Sequence, residues 1–193
     1  MAKPLPETIL RRAGPDDAAK LALIGSATFL TAFAHDHPGQ ALIDHCSVEH
    51  GMARYAGWLD KPEYAFWLLE TPLGAPVGYA MMSPPELDIK PQPGSVELKR
   101  IYALSGWQGA GLGRRLMDAV IDEARAREAT CLYLCVYTNN PDAQRFYERF
   151  VASHPAIAPL FKDTDMGRQR LALRRGISVA IFHAAGSPLS RRS

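Results

Sequence analysis

Cysteine is scarce in this chain: Cys46, Cys131 and Cys135 are the three among 193 residues. Three thiols build no disulfide framework. Cys131 and Cys135 are read as lying four apart on one strand, about 13 Å from each other and beyond the reach of a bridge. Long apolar runs are also missing. The stretch Ile177 to Ala185 is far too short to span a bilayer. The opening Met1-Ala2-Lys3-Pro4-Leu5-Pro6-Glu7 has no apolar core of a secretory signal. A protein of the reducing cytoplasm with no membrane partner is the reading that follows. No basic stripe interleaves with aromatics, so no nucleic-acid partner is expected. Nor is there a helix-spaced H-E-x-x-H pair. His35-Asp36-His37, His45-Cys46 and His50 are therefore read as acceptor-binding or surface groups, and no metal is expected.

What is present is the composition of an ordinary globule, 47% hydrophobic and 22% charged. The length suits one domain, read as residues 1–174, followed by a basic tail over 175–193 of uncertain order. A net charge of +2 conceals a polarity. From Asp36 to Glu97 nine acids face three bases, so the positive charge collects elsewhere, including the glycine-rich loop described next.

That loop is Gln108-Gly109-Ala110-Gly111-Leu112-Gly113-Arg114. Three glycines at alternate positions let backbone N–H groups converge without Cβ obstruction. A helix expected from about Leu112 adds its positive dipole end, and the combination suits a phosphate or pyrophosphate. The spacing is not that of a dinucleotide fold. Gly113-Arg114-Arg115 also lacks the Gly-Lys-Ser/Thr ending of a P-loop.

Around the loop the pattern is mixed α/β. Ile9 to Arg12 reads as a strand, and Gly14-Pro15-Asp16-Asp17 as a helix start running toward Phe33. A second helical region over Leu42 to Leu59 is interrupted at Gly51 and Gly57. Tyr64–Leu69 and Val77–Met82 read as paired strands about a Thr71-Pro72-Leu73-Gly74 turn. Pro84 to Gly94, with four prolines, is a loop or lid, and Val96 to Leu104 is the next strand. The Leu112 helix carries an apolar stripe through Ala124. Cys131 to Tyr137 is a strand central in a sheet, and Asn140-Pro141 opens a helix with Ala143, Phe146, Tyr147 and Phe150 on one face. Beyond it the pattern weakens.

Val96 to Phe150 resembles the central block of the GNAT acetyltransferases: strand, Gln108-x-x-Gly111-x-Gly113, helix, strand, then Asn140-x-x-Ala143-x-x-Phe146-Tyr147-Glu148. Ala27-Thr28-Phe29 with Phe33, Asp163-Thr164-Asp165-Met166 and Leu171-Ala172-Leu173 are similar to the bacterial spermine/spermidine branch. The family's Gly-Phe pair after this helix is replaced by Val151-Ala152, which leaves the last strands least defined. The resemblance implies a mixed, mostly antiparallel sheet flanked by helices. It also implies a splay between two central strands that takes acetyl-CoA as co-substrate.

On that resemblance the backbone of Ile101, Tyr102 and Ala103 pairs with the pantetheine arm, and an N–H there polarises the thioester carbonyl. Residues Gln108, Gly109, Ala110, Gly111, Leu112, Gly113 and Arg114 cradle the pyrophosphate, and Asn140 and Tyr147 touch the cofactor. Tyr147 is the expected acid for the leaving thiolate. Glu97 is the expected base for an amine that is mostly protonated at neutral pH; its competing reading is a solvated carboxylate balanced by Lys99 and Arg100. The acceptor is read as a small amine, and the acidic stretch suits a polyamine. Two alternatives stay open: a protein N-terminal or lysine acetyltransferase, and a non-catalytic acetyl-CoA-binding regulator. A homodimer is compatible with the resemblance.

Overall fold

Strand β2 (Ala65–Glu70) is buried at every position, as its run Ala-Phe-Trp-Leu-Leu requires of a strand covered on both faces. It pairs antiparallel with β1 (Ile9–Arg12), Arg11 opposite Leu68, and with β3 (Pro76–Ser83), Phe66 opposite Met81. The expected hairpin is present, with Gly74 at φ +80° in its turn. The computed structural model describes residues 7–35, 37–86, 90–137, 140–153, 157–160, 168–173 and 178–184.

The chain divides into two compact units, 1–82 with 100–119, and 83–99 with 120–193. In the first unit the strands run β1-β2-β3 and then the second half of β4 (Val96–Ala103). Its helices are α1 (Ala18–Phe33), α2 (Gly39–Glu49), α3 (Met52–Leu59) and the start of α4 (Leu112–Ala126). Leu21, Ile24, Tyr55, Trp58, Phe66, Leu68, Tyr79 and Met81 form its core. Gly51 does separate α2 from α3, whereas Gly57 lies inside α3 and breaks nothing.

An ionic cluster joins β1, β2 and the head of α1. Arg11 makes paired hydrogen bonds to Asp17 (2.7 and 2.7 Å) and to Glu70 (2.7 and 2.9 Å), and Lys20 donates to Glu70 at 2.6 Å. Such forked contacts fix geometry as well as charge. Arg11 holds the Asp17 carboxyl below the ordinary range. Burial pushes Glu70 the other way, but Arg11 and Lys20 outweigh it and keep its carboxyl low.

In the second unit the strand order is β4, β5 (Cys131–Tyr137), β8 (Ser178–Ala184), β7 (Arg168–Leu173), β6 (Ile157–Leu160). The β4–β5 ladder is parallel from Val96↔Leu132 to Leu98↔Leu134, and β5–β8 is parallel over seven pairs. The β7 pairings are antiparallel. The sheet is thus mixed, and β5 is central as expected. Ser178–Ala184, within the stretch read as a tail, form a strand between β5 and β7; residues 185–193 lie outside the described residues, as do Asp36 and the Asp163-to-Met166 segment.

Helix α5 (Pro141–Ala152) shows how this chain manages without the family's glycine. It runs on through Val151 and Ala152, and the Ser153 hydroxyl then donates to the Phe150 carbonyl at 2.9 Å. A side chain closes the helix end in place of a left-handed residue. Among the described residues no helix is long and apolar enough to cross a membrane.

Candidate active site

The glycine-rich loop leaves β4 through a short 3-10 turn at Ser105–Trp107 and enters α4 at Leu112. Gly109 and Gly111 hold φ values of +86° and +74°, which a side chain would strain. Gly113 lies in the first helical turn. The space where a Cβ would sit at Gly109 or Gly111 is open to at least 4 Å. The first helical bond of α4 joins Arg115 N–H to the Gly111 carbonyl at 3.1 Å. The N–H groups of Leu112, Gly113 and Arg114 therefore precede the ladder, at the positive end of the dipole. Two left-handed glycines and a helix start form a concave backbone of the kind that takes anions.

The two arginines after Gly113 diverge. Arg114 is more than half exposed, with Asp118 at 3.8 Å. Arg115 instead reaches Thr8, donating to its hydroxyl at 2.5 Å and its carbonyl at 3.0 Å. One arginine thus stays beside the loop while the other ties the helix to the N-terminal segment. Gln108 turns back, donating its amide to the Ala103 carbonyl at 3.2 Å.

Backbone direction along β4 alternates. Leu104 N–H bonds the Val77 carbonyl at 3.0 Å, and the Tyr102 carbonyl lies beside Gly78, 3.0 Å from where a Cβ would stand. Even-numbered residues thus address β3, and the polar groups of Ile101 and Ala103 address the opposite edge. The Tyr102 ring stacks near Tyr79, centroids 6.1 Å apart. The sequence treats Ile101, Tyr102 and Ala103 alike, whereas the strand gives Tyr102 the other direction.

Glu97, Asn140 and Tyr147 belong to the second unit. Glu97 is buried at 4% exposure, so it is not the solvated carboxylate of its competing reading. Its Oε2 accepts the Glu86 N–H at 2.7 Å, while Lys99 pairs with Glu86 and Arg100 with Glu49. The proline-rich loop is pinned at its other end too. Gln92 N–H donates to the Tyr133 hydroxyl (3.2 Å), and the Thr130 hydroxyl donates to the Pro93 carbonyl (2.7 Å). The Asn140 Oδ1 accepts the Ala143 N–H at 3.0 Å, capping α5 as its position suggests. Tyr147 is buried on that helix, its ring 5.1 Å from that of Phe146.

A polar cluster in the first unit escapes the sequence reading. Arg100, its side chain 10% exposed, donates to the Glu49 carbonyl (3.3 Å) and the Tyr55 hydroxyl (3.1 Å) and pairs with the Glu49 carboxylate (3.5 Å). Its guanidinium also lies over Trp58, 5.1 Å from the ring centre. The Tyr55 hydroxyl is 2.9 Å from His50 Nδ1 and 3.4 Å from the Tyr79 hydroxyl. His50 is buried, not a surface group. Burial, with the Arg100 and His45 charges beside it, pushes its pKa down to about 2, so the imidazole is neutral. The signal was a charged residue on an otherwise half-apolar strand, which Lys99-Arg100 disguised as a solvated pair. Among the described residues no group of three or more His, Cys, Asp or Glu is placed to hold a metal ion. His45 stacks on Phe29, centroids 4.1 Å apart.

Comparison with known proteins agrees with this architecture. The acetyltransferase (GNAT) family model matches residues 29–151. An uncharacterized N-acetyltransferase of Mycobacterium tuberculosis is 32% identical over 133 residues, 69% of this chain and 81% of the relative. The spermine/spermidine N(1)-acetyltransferase of Bacillus subtilis is 37% identical over 76 residues, 38% of this chain and 50% of its own length. Among solved structures, the PaiA N-acetyltransferase of Thermoplasma acidophilum in complex with coenzyme A shares the fold at a TM-score of 0.66 and 13% identity, over 82% of this chain and 93% of that one. With the loop, the mixed sheet and the family match in agreement, the chain belongs to the GNAT acetyltransferase family, as an acyltransferase of the N-acetyltransferase kind.

Proposed function

We propose that the chain moves an acetyl group from acetyl-CoA to a primary amine, and that the amine is a small polyamine. The observation that carries the cofactor is the cradle at Gly109 and Gly111, left-handed, open in front and backed by the start of α4. Its backbone donors and the adjacent Arg114 suit a pyrophosphate, and the outward edge of Ile101 and Ala103 suits an amide-bearing arm running along β4. Bound acetyl-CoA supplies an activated thioester.

This chain's residues then have separable tasks. Glu97 takes a proton from the ammonium so that nitrogen has a lone pair to donate. An N–H of Ile101 or Ala103 stabilises charge on the thioester oxygen. A C–N bond forms, the C–S bond breaks, and Tyr147 gives its proton to the departing thiolate. The polyamine preference rests on the acidic balance from Asp36 to Glu97 and on the partial likeness to the Bacillus subtilis enzyme.

The test is release of free CoA from acetyl-CoA across spermidine, spermine, lysine, aminoglycosides and N-terminal peptides, with wild type and Tyr147→Phe. Turnover of polyamines with a loss of about 100-fold in the variant is expected. Turnover of peptides alone would make it a protein acetyltransferase, and cofactor binding without release would make it a regulator.

A further inference from the structure

Arg100 stands immediately before Ile101 on β4, and its side chain reaches out of the strand to the helices. Its guanidinium reaches the end of α2 and the face of α3. One nitrogen donates to the Glu49 carbonyl (3.3 Å) and to the Tyr55 hydroxyl (3.1 Å), another faces the Glu49 carboxylate (3.5 Å), and Trp58 lies beneath. Glu49 is the last residue of α2, so its carbonyl is one that the helix cannot satisfy internally. A cation at that end also answers the negative pole of the helix. The two charged side chains are only 10% and 13% exposed, so the contact is a built one and not a surface encounter.

The cluster continues behind it. Tyr55 meets His50 and Tyr79, and Tyr79 stacks on Tyr102, two residues beyond Arg100 and on the same face of the strand. Of two successive same-face side chains of β4, Arg100 is thus fixed to the helices, and Tyr102 to Tyr79 of β3, whose hydroxyl meets Tyr55 of α3. Ile101, between them, and Ala103, just past Tyr102, have their polar groups turned to the edge away from β3. Their in-plane position is set by how Arg100 and Tyr102 are held.

We infer that Arg100 is a positioning residue for acyl transfer, setting the Ile101–Ala103 edge through its clamp on Glu49 and Tyr55 at the α2–α3 junction. The inference rests on the reading that this edge receives the thioester arm. Lysine is no substitute, because it is a point charge without the planar fork that serves the Glu49 carbonyl and Tyr55 hydroxyl through one nitrogen and the Glu49 carboxylate through the other. A donor edge displaced by a fraction of an ångström binds the arm but meets the developing oxyanion poorly. The signature is a fall in kcat larger than any change in KM for acetyl-CoA.

The experiment compares wild type, Arg100→Lys, Glu49→Gln and Tyr55→Phe in steady-state CoA release, with melting temperature measured for each. Tyr55→Phe keeps the ring packing and so remains testable where a charge change unfolds the protein. Expected is a 10-fold or greater loss of kcat in Arg100→Lys and Tyr55→Phe, with KM for acetyl-CoA within 3-fold and the proteins folded at the assay temperature. Unchanged kcat per folded molecule in these variants, with only the melting temperature lowered, overturns the positioning role alone. No CoA release by wild type from any amine overturns the underlying reading of the edge, and the inference with it.

Discussion

The Glu97 carboxylate accepts the backbone N–H of Glu86 at 2.7 Å, so the proposed base is also the anchor of the proline-rich loop. One carboxylate oxygen is committed to structure; chemistry falls to the same group. Glu97→Gln separates the two tasks, because its amide oxygen still accepts the N–H while the basic oxygen is lost. Expected is a melting temperature close to wild type and a kcat reduced about 100-fold, within the range that general-base removal costs. A variant with full activity at neutral pH would take the base role away from Glu97.

At the cradle, Gly111→Ala places a methyl group in open space but at φ +74°. The backbone penalty is about 1 kcal/mol, and the methyl occupies the room proposed for phosphate. Isothermal titration with CoA should show affinity weakened 10-fold or more. Binding equal to wild type would remove the loop from the cofactor site.

Gly25, in the middle of α1, faces the tips of two buried side chains. A Cβ there would lie 2.4 Å from both His50 Nδ1 and the Tyr55 hydroxyl. Gly25→Ala gains helix propensity but must push the pair aside, a net loss of about 1–3 kcal/mol. Thermal unfolding is expected to shift downward by about 2–4 °C for each kcal/mol lost. An unchanged or raised midpoint would show that the cluster has room to yield.

The ionic cluster at β1 makes a sharper prediction. Arg11→Met leaves Asp17 and Glu70, 7% and 5% exposed, without their shared partner. Removing one member of such a buried set costs about 3 kcal/mol. Combining Arg11→Met with Asp17→Asn and Glu70→Gln should return part of that loss in urea unfolding, since no uncompensated charge then stays buried. A triple variant less stable than Arg11→Met would show that hydrogen bonding, not charge, dominates there.

His50 sets a pH dependence whose sign is fixed. Its folded pKa is lowered from 6.5 to about 2, so the unfolded chain binds the extra proton. Its contribution is complete above pH 6.5 and is lost as pH falls, with a slope of up to ~1.4 kcal/mol per unit. Asp17 and Glu70, lowered from ordinary values of 3.8 and 4.5, add their losses only at lower pH. Of these three groups, His50 alone contributes a slope between pH 6.5 and about 4.5. Unfolding free energies at pH 7, 6 and 5 should fall in wild type and stay nearly level in His50→Asn; parallel curves would assign the slope elsewhere.

Local chemistry made much of this legible. Asn140-Pro141 announced a cap and a helix start, and the Asn140 side chain makes that cap. Leu112 to Ala124 announced α4 through its stripe, and the alternate glycines announced a loop whose left-handed members are Gly109 and Gly111. What was hidden depends on partners distant in sequence. Arg100 reads as one of two adjacent cations, and nothing nearby says that Glu49 and Tyr55 will claim it. The competing reading of Glu97 as a solvated carboxylate arises for the same reason, its partner Glu86 lying across a proline-rich loop. β8 was missed because its neighbours β5 and β7 come from separate parts of the chain.

That late strand also orders events during synthesis. β8 takes a place between β5 and β7, both of which leave the ribosome before it. Until Ser178–Ala184 emerge, the far side of β5 is a bare edge with unpaired backbone donors and acceptors, open to pairing with another chain. The first unit takes no segment beyond Ala119 and is complete in sequence well before then. A nascent chain thus passes through a stage in which every residue of one unit is present while the other waits for its central closing strand. Slow translation of the Ser178–Ala184 codons would lengthen the exposure of that edge, so aggregation should depend on elongation rate across that segment.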